Sequence, residues 1–295
     1  MNIGIVHEAP RPTKSSRELL EAFRELGVNA KYYRISKLSG FFGENGLRIR
    51  YGKRIIELDA VVVRSLGAIT TTEQLLKRIG LLREMELKGI VVVNPSEAFL
   101  KARDKYTSLL LLSKHGVPVP DTIVTEDVQV VVEAVKEWGT VVIKPMIGSL
   151  GFGSVKVNDP DIAFRVARTL LSLGHPVYVQ RYIEKPGRDI RIFTVGHNVL
   201  AAAYRIAAPG QWKTNVAQGA ITEPARVNEE LREIALRVAD ILSLEYAGID
   251  VAESPNGGYY VLEANVAPLW EGLARATGIK PAKAIAEHVV NLVRR

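Results

Sequence analysis

The 295-residue chain contains no cysteine. That excludes disulfides, thiolate metal sites and cysteine nucleophiles, and it suits a cytoplasmic protein. No apolar run is long enough to cross a bilayer, so no membrane association is expected. The opening stretch MNIGIVHEAPRP lacks a basic segment followed by a long apolar core and does not read as a secretory signal. No GxGxxG follows the first apolar strand, which removes a dinucleotide-binding reading, and no Walker A pattern occurs. The five histidines, His7, His115, His175, His197 and His288, are scattered without metal-binding spacing and read as structural or surface residues. No Ser–His–Asp arrangement is evident.

Charge is present in excess of one sign. The formal net charge is +7. Lys and Arg are spread along the chain without a cluster or interleaved aromatics, so nucleic acid is not expected as a partner. A site for nucleotide phosphates and acidic substrates accounts for a moderate basic excess. The length implies two or three subdomains.

The hydrophobic pattern sets the order of elements. NIGIV reads as a buried strand, and Ser15 or Ser16 is positioned to cap the helix RELLEAFRELG, which Gly27 ends. Strand VNAKYYRI, a hairpin-like LRIRYGKRIIEL, strand AVVVRS, a helix opened by Thr71 or Thr72, and strand IVVVN follow. This alternation indicates a parallel α/β sheet. Near residue 100 the character changes, and Asp104 is positioned to cap the helix KYTSLLLLSKHG. Next come strand TIVT, a helix, strand TVVIKP, a Gly-rich loop, strand SVKV, a helix and strand VYVQRYI. A second boundary is expected near Lys185-Pro186-Gly187. Beyond it lie strands DIRIFTVG and NVLAAAYRIA, a polar loop, a helix, a strand pair and a final helix near 279–294. The expected division is 1–100, 101–185 and 186–295.

The strand pair Gly248 to Asn265, GIDVAESPNGGYYVLEAN, carries the most chemistry. Asn256-Gly257 is a strong two-residue hairpin turn, because type I′ needs φ > 0 twice. With those residues as the loop, Asp250 faces Glu263, and Asn265 points to the same side. The other face then carries Ile249, Val251, Tyr260 and Leu262. Facing carboxylates repel unless a cation or proton lies between them. Asp, Glu and Asn oxygens suit Mg²⁺. The hairpin is therefore read as a magnesium–nucleotide site with one or two ions, where Mn²⁺ could substitute. A solvated face with incidental charges is the alternative, and a one-residue slip would separate the ligands.

Two further segments fit a nucleotide. In VVIKPMIGSLGFGS, Lys144 ends an apolar strand and leads into Gly148, Gly151 and Gly153, which let backbone N–H groups approach phosphate oxygens. An ordinary connection with a snorkelling lysine would look the same. In VYVQRYIEKPGRDIR, the backbone of Gln180, Arg181, Tyr182 and Ile183 could meet the edge of adenine. Asp189 could accept from ribose hydroxyls; a surface ion pair with Arg191 is the alternative.

Taken in order, Lys105 before a Leu-rich helix, Lys144 before the glycines, QRYI, DIR, an arginine strand, KTN, GID and EAN resemble the ATP-grasp superfamily. Within it the pattern is most similar to RimK-type amino-acid ligases. These include the alpha-L-glutamate ligases acting on a ribosomal protein, tetrahydromethanopterin or coenzyme F420, and the ligase of an amino-group carrier protein. The resemblance implies an α/β (α+β) ATP-grasp fold with an amino-terminal pre-grasp domain, a central lid and a carboxy-terminal domain. It implies that Lys105 and Lys144 contact ATP phosphates, that Arg181 and Tyr182 form the adenine hinge, and that Asp189 binds ribose. It further places Lys213, Thr214 and Asn215 at the nucleotide, Asp250, Glu263 and Asn265 on Mg²⁺, and Arg205 at the acyl phosphate or tetrahedral intermediate. Two departures stand out: Arg181 where many relatives carry Glu, and VAPLWEG after Asn265.

The implied reaction joins a carboxylate to an amine through an acyl phosphate, using ATP and Mg²⁺. An ATP-dependent phosphotransferase and a non-catalytic nucleotide-binding regulator are the alternatives. Arg191, Arg205 and Lys213 supply positive charge that fits L-glutamate as the added amino acid. The expected partners are ATP, an amino acid, and an acceptor that is a protein tail, a carrier protein or a small cofactor. A homo-oligomer is also expected.

Overall fold

The computed structural model describes residues 1–44, 46–148 and 153–295. Its first part contains β1 (Asn2–His7), α1 (Lys14–Glu25), β2 (Asn29–Arg34), the short strands β3 (Leu38–Phe41), β4 (Arg48–Tyr51) and β5 (Arg54–Ile55), then β6 (Ala60–Val63), α2 (Thr72–Leu87) and β7 (Val91–Val93). β1, β2, β6 and β7 form a parallel sheet in the order β2-β1-β6-β7. Parallel strands are covered on both faces, which explains their unbroken Ile and Val runs. Ile3, Ile5 and Val62 pack with residues of α1, while Val6, Val61 and Val63 belong to a second cluster with α2. Thr13, not Ser15 or Ser16, caps α1 by accepting from Ser16 N. Thr71 caps α2 in a capping box with Gln74.

A helix not anticipated from the sequence, α3 (Ser96–Ala102), follows β7, and the limit expected near residue 100 falls inside it. Asp104 then caps α4 (Lys105–Lys114) by accepting from Thr107 N at 2.7 Å.

The central segment holds β8 (Thr122–Thr125), α5 (Val128–Trp138), β9 (Val141–Lys144), β10 (Val155–Val157), α6 (Pro160–Ser172) and β11 (Val177–Arg181). Its sheet is antiparallel, in the order β10-β9-β11-β8. Val131, Val135, Ala163 and Ala167 of the two helices bury Ile143, Val157 and Val179 in a core separate from the other two.

The last segment contains β12 (Arg188–Val195), β13 (Asn198–Ile206), β14 (Ile221–Pro224), α7 (Glu229–Ile241), β15 (Tyr246–Glu253), β16 (Tyr259–Asn265), α8 (Glu271–Thr277) and α9 (Pro281–Arg294). The five strands are antiparallel in the order β14-β13-β12-β15-β16. Ile190, Ile192, Ile249 and Val251 share a core with Leu231, Ile234 and Val238 of α7. Among the described residues, no helix is long and apolar enough to cross a membrane.

Buried Asn94, directly after β7, ties the first sheet to the last. Its Oδ1 accepts from Glu245 N at 2.6 Å and Tyr246 N at 3.1 Å, and its Nδ2 donates to Tyr246 O at 2.8 Å and Val266 O at 2.6 Å.

Candidate active site

Period-two spacing puts Asp189 and Arg191 of β12 on the same face of the last sheet. Antiparallel pairing sets Arg205 of β13 opposite Asp189, and Asp250 of β15 opposite Arg191. β16 adds Glu263 opposite Asp250 and Asn265 opposite Gly248. Opposite charges therefore face each other between β13 and β12 and between β12 and β15, where cross-strand neighbours attract, whereas Asp250 and Glu263 set like charges opposite each other. Arg205 Nε and Nη2 donate to the two Asp189 oxygens at 2.7 and 2.8 Å, and Arg205 Nη2 lies 3.0 Å from Asp250 Oδ2. Arg191 holds Asp250 through Nε, and through Nη2 at 3.0 Å.

The facing of Asp250 and Glu263 arises differently from the two-residue turn expected of the sequence. Ser254 N donates to Gly258 O, so Pro255, Asn256 and Gly257 form the loop, with Gly257 and Gly258 both at positive φ. That shifts the pairs near the turn by one residue, giving Val251 opposite Val261. A bulge between Asp250 and Val251 restores the offset, with Leu262 as the extra residue. The expected apolar face is corrected accordingly. Val261 and Ala264 are buried with Ile249 and Val251, while Leu262 lines the cavity on the charged side.

That cavity, of roughly 100 Å³, lies between the central and last sheets. Lys105, Lys144, Gly148, Lys213, Thr214 and Asn215 line it together with Asp189, Arg205, Asp250 and Glu263. Lys105, the first residue of α4, lies 3.4 Å from Glu263 Oε1 and donates to Gly148 O at 3.1 Å. Lys144 donates to Gln180 Oε1 at 2.6 Å. Burial lowers the Lys144 pKa to about 8; Lys105 and Lys185 push the same way, and Glu263 and Asp250 oppose them. Burial would raise the Asp189 pKa, but Arg205, Lys185 and Thr214 outweigh it and hold the carboxyl below its usual range. For Arg205, burial is outweighed by Asp189 and Asp250, so its pKa rises further.

A second cavity, of roughly 380 Å³, adjoins the first, and Arg205, Asn215, Asp250 and Glu263 line both. Arg191, Asn265 and the apolar Ala267, Pro268, Leu269 and Leu273 complete much of its wall. The VAPLWEG segment thus supplies this wall.

Several residues singled out in the sequence stand elsewhere. Arg181 N–H donates to Asp121 O and Tyr182 N–H to Thr140 O, so neither N–H is open to a base edge. The Arg181 side chain pairs with Asp121 at 3.3 Å near the surface. Gln180 is buried, and its side chain holds Lys144. Tyr182 meets the Trp212 ring edge-on at 6.3 Å. Asp189 forms a buried pair with Arg205, not a surface pair with Arg191, and Lys185 at 3.5 Å and the Thr214 hydroxyl complete its contacts. Gly153 has φ +76°, and Gly151 lies outside the described residues.

Lys185 and Trp212, which line the first cavity, were not picked out from the sequence. The signal for Lys185 was its place four residues before Asp189, in a stretch read only as a boundary. Among the described residues, no group of three or more His, Cys, Asp or Glu side chains gathers as a metal site. The oxygen set is instead two carboxylates and one amide. Asp250 Oδ1 accepts from Arg191 Nε, Lys105 is the partner of Glu263 Oε1, and Asn265 donates to Gly248 O through Nδ2. A carboxylate oxygen has two lone pairs, so each group retains accepting capacity. This hard-oxygen set fits Mg²⁺.

Known proteins share this fold. Residues 102–289 match the RimK-like ATP-grasp domain. The tetrahydromethanopterin:alpha-L-glutamate ligase of Methanosarcina acetivorans is 35% identical, with 99% of each chain covered. A protein of Pseudomonas fluorescens named "Probable alpha-L-glutamate ligase" is 34% identical, covering 98% of this chain and 95% of that one. The solved ATP-grasp ligase PsnB, complexed with a phosphomimetic variant of its minimal precursor, Mg and ADP, superposes with a TM-score of 0.80 at 22% identity, covering 99% and 98%. The chain belongs to the RimK-like ATP-grasp family. It is an ATP-dependent carboxylate–amine ligase, and neither the phosphotransferase nor the regulator reading is favoured.

Proposed function

We propose that this ligase adds L-glutamate to a carboxylate-bearing acceptor through an acyl phosphate. The observation that carries the reading is the shared wall of the two cavities, where Arg205, Asn215, Asp250 and Glu263 face both. A phosphoryl donor on one side and a carboxylate on the other meet at that wall. Glutamate is supported by the names of the full-length relatives. The charge argument from the sequence gives it little support, because Arg191 and Arg205 are engaged by Asp250 and Asp189. The acceptor named for the Methanosarcina relative, tetrahydromethanopterin, is the first candidate. A protein tail and a carrier protein come next.

Lys105, Lys144 and Lys185 take the phosphates, with Gly148 beside them. Ile183 N–H meets the base, beside Tyr182 and Trp212, and Lys213, Thr214 and Asn215 complete the nucleotide site. Asp250, Glu263 and Asn265 hold Mg²⁺, which neutralises charge on the transferring phosphoryl group when bound. The acceptor carboxylate attacks the γ-phosphorus, ADP leaves and an acyl phosphate forms. The glutamate amine then attacks the acyl carbon, inorganic phosphate leaves and the amine loses its extra proton. Arg205 opposes the charge that develops on the acyl oxygen. In this reading residues 1–100 receive the acceptor, 101–185 form the lid and 186–295 carry the metal site.

The test is ADP release with Mg²⁺ and ATP, varying the amino acid at fixed tetrahydromethanopterin. Release that requires both L-glutamate and the acceptor supports the proposal. A clear preference for a neutral or basic amino acid contradicts the glutamate assignment, and release without any amine favours phosphotransfer.

A further inference from the structure

A second concentration of positive charge lies outside both cavities. Four cations approach the carboxyl ends of the parallel strands: Arg34 ends β2, Lys77 and Arg78 lie on α2, and Arg103 follows α3. Among the described residues, their one carboxylate partner is Glu8, just past β1, at 3.1 Å from Arg34 and 3.7 Å from Arg78. Backbone carbonyls, which do not neutralise them, also hold these cations. Arg78 donates to Leu66 O, Arg103 to Gly67 O at 3.3 Å, and Lys77 to Leu38 O. His7 adds no negative charge, since its Nδ1 accepts from Ala9 N.

Buried cations are normally paired, because desolvation strongly disfavours an unpaired charge. Arg78 is buried, and Arg103 Nε is buried without a hydrogen-bond partner. Burial, with Arg78 adding to it, pushes the pKa of both Lys77 and Arg103 down. The position is one at which open α/β sheets bind ligands. The chain leaves β1 for β2 on one side and returns to β6 on the other, so the carboxyl ends of β1 and β6 mark the switch point at which such sheets place a ligand crevice.

This crevice is joined to the reaction cavity by one short segment. Arg64 Nη2 donates to Pro268 O at 2.7 Å, and Pro268 lines the second cavity. Leu66 and Gly67, whose carbonyls Arg78 and Arg103 hold, come two and three residues later. An extended chain spans at most about 7–10 Å in that distance, so the two regions are neighbours.

We propose that the crevice at the carboxyl ends of β1, β2 and β6 is a second anion site, holding a phosphate or carboxylate that the acceptor carries at a distance from its reacting carboxylate. This rests on the ligase reading above and adds that the acceptor is a polyanion anchored at both ends.

The experiment titrates the full-length protein by calorimetry with inorganic phosphate and, separately, with tri-L-glutamate. A non-hydrolysable ATP analogue and Mg²⁺ first saturate the nucleotide site. Binding of either probe to the saturated protein, weakened at least fivefold in both Arg34→Gln and Arg103→Gln with affinity for the ATP analogue unchanged, supports the site. Phosphate alone binding indicates a phosphate-bearing acceptor, and tri-L-glutamate alone an acidic peptide. L-Glutamate competing equally well would assign the crevice to the amino acid and overturn the proposal. So would no binding, or equal binding by wild type and both variants. Lys77→Gln serves as a third variant should one of the arginine variants fail to fold. Failure of glutamate-dependent ADP release would sink the ligase assignment without altering these titrations, so the two failures are distinguishable.

Discussion

Arg205 lies against Asp189 as a buried bidentate pair, with Nε and Nη2 at 2.7 and 2.8 Å from the two carboxylate oxygens. Its Nη2 also reaches Asp250 at 3.0 Å, so one guanidinium couples an acid of β12 to the proposed metal ligand of β15. Removing one partner leaves a buried charge with Lys185 (for Asp189) or Asp250 (for Arg205) still beside it, and breaking such a buried pair costs about 3–5 kcal/mol. We expect Arg205→Met and Asp189→Asn each to lower stability by roughly that amount. The double variant should lose much less than the sum. Urea unfolding of the three proteins checks this, and strict additivity would mean that the two side chains are not energetically coupled.

Asp250→Asn and Glu263→Gln are expected to lower Mg²⁺-dependent turnover by roughly a hundredfold or more, on the scale of losing one main electrostatic group. Glu263 is partly exposed, so Glu263→Gln should fold normally. The measurement is turnover against Mg²⁺ concentration, with circular dichroism as the control for folding. Near-wild-type turnover in both variants would remove the metal assignment.

Lys144 titrates near pH 8 in the free protein, because burial outweighs Glu263 and Asp250. Phosphates placed beside it favour the charged form. ATP binding should therefore take up close to one proton near pH 9, about half of one at pH 8, and almost none at pH 6. Calorimetry in buffers of different ionisation enthalpy measures this directly, and Lys144→Met should abolish the uptake. For folding the sign is the opposite of that for a stabilised cation. The native pKa lies below the usual lysine value of 10.5, so the unfolded chain binds more protons between about 8 and 10.5, and this group's contribution to stability rises with pH in that window.

Asn94 satisfies backbone groups of Glu245, Tyr246 and Val266 at once. Each buried polar group left without a partner costs about 1–3 kcal/mol. Asn94→Ala should destabilise by roughly 3–5 kcal/mol after partial relaxation. It should also lower turnover, since Val266 follows Asn265. Thermal and urea unfolding test the first expectation, and a loss under about 1 kcal/mol would contradict it.

Much of this was legible in the chain because local rules and tertiary packing agree. The Asp104 cap, the Val-rich parallel strands and the period-two spacing of Asp189 and Arg191 follow from sequence alone. α3 was not, because it is seven residues long and has no side-chain cap. The pairing of Asp250 with Glu263 was read correctly through a turn one residue too short. A two-residue turn and a three-residue turn followed by a bulge give the same offset beyond Leu262, and glycines at both 257 and 258 permit either. The partners of Asp189 and Arg191 were not legible, because they depend on which strands flank β12. That two N–H groups of the hinge are engaged was not legible for a related reason. Arg181 and Tyr182 N–H find acceptors in Asp121 and Thr140, which only the sheet order brings alongside.

The central claim is carboxylate–amine ligation through an acyl phosphate, and oxygen transfer tests it most directly. An acceptor labelled with ¹⁸O in its carboxylates is turned over with ATP, Mg²⁺ and L-glutamate, and the inorganic phosphate is analysed by mass spectrometry. The account predicts one acceptor oxygen in each phosphate released, with amide formed in equal amount. Unlabelled phosphate accompanying amide formation would contradict it.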